Sequence, residues 1–261
     1  MGYNLDAYSP AEIAKRVEDV GVAKVGMPAG KTLVLAILAG AFISLGAVFY
    51  TLAMTGSPLG FGPARVLGGL VFSTGLILVI VAGAELFTGN NLIVMAWADR
   101  RVTLWALLRN WGIVYIGNLI GALGTAVLVV LSGIYDMAGG AVGETAASIA
   151  ASKLALPSDQ AFFRGVLCNV LVCLAVWLCF AAHSVTDKIL AIVLPISAFV
   201  ALGFEHSVAN MYVIPVAMLD GTIGWDGAGL IINLVWVTAG NIVGGGGLVA
   251  LVYWLVYGRA T

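Results

Sequence analysis

Charge is what this chain has least of. Of its 261 residues only 10% are Asp, Glu, Lys or Arg while 61% are apolar, a balance that would leave a soluble domain without a solvated surface and that points to a membrane class. Lys plus Arg (12) nearly equal Asp plus Glu (13), so neither a nucleic-acid stripe nor an acidic-partner signal is present. Histidine occurs twice, as His183 and His206, and cysteine three times, as Cys168, Cys173 and Cys179. An odd number of cysteines inside one apolar segment is neither a disulfide framework nor a zinc site, and the three read as small core hydrophobes. Glu85, Glu205 and His206 would be acceptable metal ligands, but the only other histidine falls in a loop, so a metal enzyme is not expected and no cofactor is implied. The G-x-S-x-G elbow of a serine hydrolase is missing. Glycine is plentiful at 34 residues, including Gly244–Gly247, yet it lacks the strand-turn-helix setting of a phosphate loop; close packing of membrane helices explains it better.

What is present is a phrase that occurs twice, each time inside an apolar segment. Gly83-Ala84-Glu85 is followed by Asn90, and Gly203-Phe204-Glu205 by Asn210. These copies lie 120 positions apart, and a second set keeps nearly that offset: Asn110, Gly117-Asn118 and Gly121 against Asn233, Gly240-Asn241 and Gly244, 123 positions on. The chain therefore consists of two related halves. Polar, glycine-bearing interruptions at matched places in two hydrophobic repeats point to a solute site near the bilayer midplane, and hence to a transporter or channel.

Runs of about 20 apolar residues predict crossings at 32–54, 66–97, 104–132, 162–182, 189–219 and 228–257. The second and fifth contain the repeated phrase and are predicted to be broken helices, since non-helical backbone at that depth is tolerated only inside protein or along a wet cavity. With the amino terminus inside, the inner segments hold Lys15, Arg16, Lys24, Lys31, Arg100, Arg101, Arg109, Lys188 and Arg259, against only Arg65, Lys153 and Arg164 outside. This bias places both termini in the cytoplasm. Three crossings per half force the second half to enter upside down. The expected organisation is a single channel domain over 1–261, with a cytoplasmic amphipathic segment at 1–30, a first repeat at 31–132 and an inverted second repeat at 160–258.

The first thirty residues are no signal peptide, because acidic and basic residues mix there without an apolar core. Ser9-Pro10-Ala11-Glu12 instead reads as a capping box opening a helix, with Ile13, Val17 and Val20 on one face. That helix either lies against the bundle or covers a pore from the cytoplasm. At membrane depth the only ionisable residues expected are Glu85, Glu205 and His206, and such residues are costly enough there to be functional by default. For the two glutamates a structural part comes first: a carboxylate that accepts hydrogen bonds holds a non-helical loop in shape. His206, in a helix break beside a carboxylate, is the chemical candidate.

Three segments carry a resemblance to the formate/nitrite transporter family. They are Gly83-Ala84-Glu85-Leu86-Phe87-Thr88, Gly203-Phe204-Glu205-His206-Ser207-Val208-Ala209-Asn210-Met211, and Leu167-Cys168-Asn169 through Trp177. The resemblance implies an all-α membrane protein: six transmembrane helices in an aquaporin-like inverted 3+3 repeat, assembled as a homopentamer with a pore in each protomer. It places His206 at the pore centre as proton donor, facing Thr88. It also implies an inner hydrophobic constriction of Phe72, Leu76 and Phe199 and an outer one of Leu86, Phe87 and Val172. Lys153 would draw anions to the vestibule, and Glu85, Asn90, Asn169, Glu205, Asn210 and Asn241 would brace the broken helices.

The implied cargo is a small monovalent weak-acid anion carried with protons across a bacterial cytoplasmic membrane. A bare anion loses its hydration in an apolar slit at a cost of several kcal/mol, whereas its protonated form is neutral; histidine, with an unperturbed pKa of about 6.5, is suited to supply the proton. Ser184-Val185-Thr186-Asp187-Lys188 and the amino-terminal segment resemble formate channels, while Glu85-Leu86-Phe87-Thr88-Gly89-Asn90 resembles nitrite transporters. Formate is expected, with nitrite, hydrosulfide or a short monocarboxylate as the alternative within the family. An aquaporin-like neutral-solute channel is the rival class, but no Asn-Pro-Ala pair occurs.

Overall fold

The computed structural model describes residues 7–258; the first six and last three residues, Arg259 among them, lie outside. The described residues form helices and turns without a strand. Helix α1 (Pro10–Gly26) opens on the expected capping box: the Ser9 side chain accepts from Glu12 N–H and the Glu12 carboxylate accepts from Ser9 N–H. Helix α2 (Ala29–Met54) is the first crossing, and α3 (Phe61–Gly83) begins the second. After a non-helical stretch the second crossing resumes as a tight 3₁₀ turn, Gly89–Ile93, and α4 (Val94–Ala98). The third crossing is α5 (Leu104–Leu131).

In the second half, α6 (Ala141–Leu154) precedes the fourth crossing, α7 (Ser158–Ala181). The fifth crossing is split into α8 (Val185–Ala201) and α9 (Ser207–Leu219), and the sixth is α10 (Gly227–Gly258). Five of these helices are long and apolar enough to cross a membrane unaided; α8 and α9, at 17 and 13 residues, are each shorter and together occupy the place of the fifth. Each of the six expected crossings is found, with ends shifted by up to five residues. At α8 the shift arises because the cap lies outside the apolar run: Ser184 and Asp187 cap it reciprocally, so it starts at Val185 rather than 189.

The two halves pack alike, α2 along α5 and α7 along α10, with α3 crossing α8 between them. Gly117 and Gly121 bring α5 onto the backbone of α2, while Gly240 and Gly244 bring α10 onto that of α7. A side chain at Gly121, Gly240 or Gly244 would strike main-chain atoms, and one at Gly117 the Ala36 methyl, which is how small residues let membrane helices approach. Both breaks begin at a glycine of positive φ, Gly83 at 85° and Gly203 at 75°. An L residue adopts that conformation only at a cost, so glycine turns the chain out of α3 and α8 at matched depths.

Helix α1 buries Ile13, Ala14 and Val17 against the bundle end that carries α4. Arg101 anchors it through Asp19 at 2.7 Å and Glu18 at 3.7 Å. Tyr8, just before α1, stacks on His183 with centroids 4.3 Å apart and lies under the Arg16 guanidinium.

Candidate functional site

The repeated phrase builds two networks of the same residue types, which differ only in the lysine: Lys24 reaches one carboxylate oxygen and an asparagine, Lys153 both carboxylate oxygens. In the first, Lys24 Nζ donates to Glu85 Oε1 (2.6 Å) and Asn90 Oδ1 (2.9 Å), Asn90 donates to Glu85 (2.7 Å) and Asn110 (3.0 Å), and Asn110 returns to the Lys24 carbonyl (3.4 Å). In the second, Lys153 Nζ donates to both oxygens of Glu205 at 3.0 Å, Asn210 to Glu205 (2.7 Å) and Asn233 (2.8 Å), and Asn233 to the Lys153 carbonyl (3.0 Å). Asn118 accepts from Phe87 N–H and donates to the carbonyls of Ala36 and Glu85. Asn241 accepts from Ser207 N–H and donates to those of Gly165 and Glu205. Unpaired peptide groups at this depth cost about 1–3 kcal/mol each, and the two asparagines remove that penalty from both breaks.

Lys24, Asn110, Asn118 and Asn233 join these networks, although the sequence reading did not place them in the bracing set. A signal for three of them was there, since the 123-residue offset pairs Asn110 with Asn233 and Asn118 with Asn241. Lys153, expected to draw anions, lines one chamber with its ammonium on the Glu205 carboxylate.

Between the networks lie two chambers and a neck. One chamber, about 190 Å³, is lined by Lys153, Arg65, Arg164, Glu205, Phe72, Phe199 and His206. The opposite one, beneath α1, comprises a space of about 80 Å³ walled by Lys24, Leu76, Leu86, Asn90 and Phe180 and a wider one of about 350 Å³ reaching Lys188. The neck is a void of about 10 Å³ among Ile43, Phe72, Leu76, Leu86, Val172, Ile196, Phe199 and His206. That is scarcely the space one water occupies.

Five of the six expected constriction residues meet at this neck, but their division differs from the expected one. Phe72 and Phe199, in edge contact with centroids 5.7 Å apart, face the Lys153 chamber, whereas Leu76 and Leu86 face the Lys24 chamber. Phe72 and Leu76 lie one helical turn apart, about 6 Å along α3, and both border the neck. Phe87 leaves the neck altogether and packs edge-on against Trp111 and Tyr115. Ile43 and Ile196, unremarked in the sequence, complete the neck.

His206 is 3% exposed and Thr88 is fully buried, with Thr88 Oγ1 and His206 Nε2 2.9 Å apart. Nδ1 accepts from Ala209 N–H at 3.1 Å, so the imidazole is itself the N-cap of α9. A ring nitrogen that accepts carries no proton. The resting ring is therefore neutral, with its proton on Nε2 and donated to Thr88. Asn169 Nδ2 and Cys173 Sγ both approach the Thr88 carbonyl at 3.3 Å, and Asn169 also donates to the Asn241 carbonyl at 2.7 Å. Cys173 thus holds a main-chain group as well as filling core. Chemically, the site offers a single donor, the paired Nε2–H and hydroxyl, at the narrowest point of an otherwise apolar passage.

A family profile described as "Formate/nitrite transporter" matches residues 11–255. Formate channel FocA of Escherichia coli (strain K12) is 43% identical over 97% of this chain and 96% of its own length. A probable formate transporter of Methanothermobacter thermautotrophicus is 42% identical over 95% of this chain and 97% of its own. Among solved structures, one described as a pentameric formate channel with formate bound aligns with a TM-score of 0.83 at 40% identity, covering 88% of this chain and 98% of that one. An FNT family ion channel aligns with a TM-score of 0.85 at 29% identity, covering 94% and 98%.

Proposed function

The chain belongs to the formate/nitrite transporter family, and on that footing we propose that it is a channel for small monovalent weak-acid anions, formate foremost, working as a homopentamer with one pore in each protomer. It is not an enzyme. We further propose that it sits in a bacterial cytoplasmic membrane with both termini inside, so that the Lys24 chamber faces the cytoplasm and the Lys153 chamber the exterior. The observation that carries this reading is the Thr88–His206 pair at a neck too narrow and apolar for a hydrated anion.

An anion arriving at His206 from the Lys153 chamber raises the proton affinity of the imidazole, because an opposite charge nearby favours the charged form of a group. A proton entering with the anion is taken at Nδ1, and the Ala209 N–H contact yields. Nε2 then gives its proton through the Thr88 hydroxyl to the anion, which leaves a neutral ring and a neutral acid. The acid crosses between Leu76 and Leu86 without the desolvation cost of a charge and dissociates in the Lys24 chamber. Its partners are therefore the anion, protons and the bilayer.

Purified protein in liposomes tests this directly, with initial fluxes of formate, nitrite, hydrosulfide, lactate and glycerol compared. Formate is expected to lead. Nitrite in the lead would reassign the cargo within the family, and glycerol flux without anion flux would refute the reading.

A further inference from the structure

The Lys153 chamber holds three cations and one carboxylate, and only Lys153 is paired with that carboxylate. Among the described residues Arg65 and Arg164 make no ion pair. Arg65 is fixed: its Nε and Nη2 donate to the carbonyls of Ala201 (3.0 Å) and Val200 (2.7 Å), and its Nη1 to the Tyr50 hydroxyl (2.9 Å). Those carbonyls are the last of α8, where the negative end of the helix dipole favours a cation. Arg164 is held by one hydrogen bond, from Nη1 to the Gly203 carbonyl at 3.4 Å. The rest of its five-donor fork is therefore unengaged, although the residue lines the chamber.

The two guanidiniums converge on the bare face of Gly203, where a Cβ would stand 3.2 Å from Arg65 Nη2 and 3.9 Å from Arg164 Nη1. Two like charges that face one gap without a counter-charge call for an anion. A guanidinium fork matches a flat anion with two oxygens, to which it gives two parallel hydrogen bonds; a spherical anion receives only the charge.

We propose that Arg164, beside the fixed Arg65, forms an oxyanion-capture site in the Lys153 chamber, which takes planar two-oxygen anions such as formate or nitrite before they reach His206. The site deepens the anion-channel reading and rests on it. It makes Arg164 the residue that favours carboxylate-like cargo over hydrosulfide, a choice that the apolar neck and His206 do not make. Arg65 is a poor residue to vary, because three acceptors of the fold depend on it.

The test compares the parent with Arg164→Gln and Arg164→Lys, each confirmed to elute at the parent's size. In proteoliposomes, initial influx is measured against external formate concentration and separately against hydrosulfide. Arg164→Gln is expected to raise half-saturating formate roughly tenfold, the loss of one charge-assisted bidentate contact, with maximal flux within about twofold. Arg164→Lys, which keeps charge but not the fork, is expected to recover less than half of that change, and half-saturating hydrosulfide to move less than about threefold in either variant. Parent-like formate saturation in Arg164→Gln, full recovery in Arg164→Lys, or an equal shift for hydrosulfide would each overturn the site. Line broadening of ¹³C-formate by the detergent-solubilised protein gives a second readout. A parent that broadens the signal, sensitively to Arg164→Gln, but conducts nothing would refute the channel reading and leave the site standing; a parent that conducts formate without broadening would refute the site alone.

Discussion

Asn241 holds the second break together with a single amide, and its removal has a calculable cost. The side chain is fully buried; it accepts from Ser207 N–H at 3.0 Å and donates to the Gly165 and Glu205 carbonyls at 2.8 and 2.9 Å. Asn241→Ala removes three buried hydrogen bonds and takes this partner from Ser207 N–H and the Glu205 carbonyl, while the Gly165 carbonyl keeps its place in the α7 helix, at about 1–3 kcal/mol for each group left unsatisfied. Water from the chamber beside Glu205 relieves part of this, which puts the expected loss in the lower half of that range, at about 3 kcal/mol. At roughly 2–4 °C per kcal/mol for a chain of this size, the pentamer in detergent is expected to unfold about 10 °C lower. Asn118→Ala, which strips the same three bonds from the first break, is expected to fall by a similar amount, and the double variant by nearly the sum, as befits separate sites. The assay is thermal unfolding followed by tryptophan fluorescence and size-exclusion retention. A change below about 2 °C in both single variants, against a scale of several degrees per kcal/mol, would show that the breaks are held by packing and not by these asparagines.

Two further outcomes follow from the same geometry. Burial of Glu18, with Asp99 and Asp19 nearby, pushes its carboxyl pKa above the usual range, against the opposing pull of Arg101; a group raised in the docked state favours docking below its ordinary pKa, and that contribution is lost as pH rises through the raised value. Helix α1 is therefore expected to be held more firmly at pH 5 than at pH 8, seen as slower motion of a spin label at Lys15→Cys, with the difference abolished in Glu18→Gln; a label equally mobile at both pH values would contradict this. On topology, cysteines introduced at exposed positions near Arg65 or Lys153 are expected to react with an impermeant reagent in intact cells and one at Lys188 only after permeabilisation, whereas the reverse pattern would invert the assigned orientation.

The architecture was legible because its two strongest signals, long apolar runs and a repeated Gly-x-Glu phrase, are one-dimensional. The side-chain grouping around the neck was less so. Phe72 and Leu76 look like neighbours in sequence, but α3 brings one to the Lys153 chamber and the other to the Lys24 chamber, and that is why the expected constrictions had to be regrouped. Phe87 lies in the non-helical stretch 84–88, where no periodicity fixes direction; Trp111 and Tyr115 on α5 decide where its ring goes. Lys24 sits in an amphipathic surface helix outside the membrane repeat, and only the folded chain brings it to Glu85 as the counterpart of Lys153. The pairing of Thr88 with His206 joins residues 118 positions apart; it was implied by family resemblance, while the Nδ1 contact with Ala209, and with it the neutral resting ring, emerged only from the coordinates.

Proton delivery at the neck is tested most directly by His206→Asn. Asparagine is a good N-cap and can accept from Ala209 N–H through its amide oxygen, so the start of α9 is preserved, yet it cannot carry a proton near neutral pH. Formate flux into proteoliposomes is measured at external pH 5 and 7.5, with parent and variant both checked as intact pentamers. Uptake driven by an inward proton gradient is expected to fall roughly tenfold or more, the low end for a positioned proton donor, with the difference between the two pH values flattened and only unassisted anion leak remaining. A variant that keeps the parent's full pH response would contradict a proton-carrying role for His206 and leave the hydrophobic neck and the charged chambers to select the anion alone.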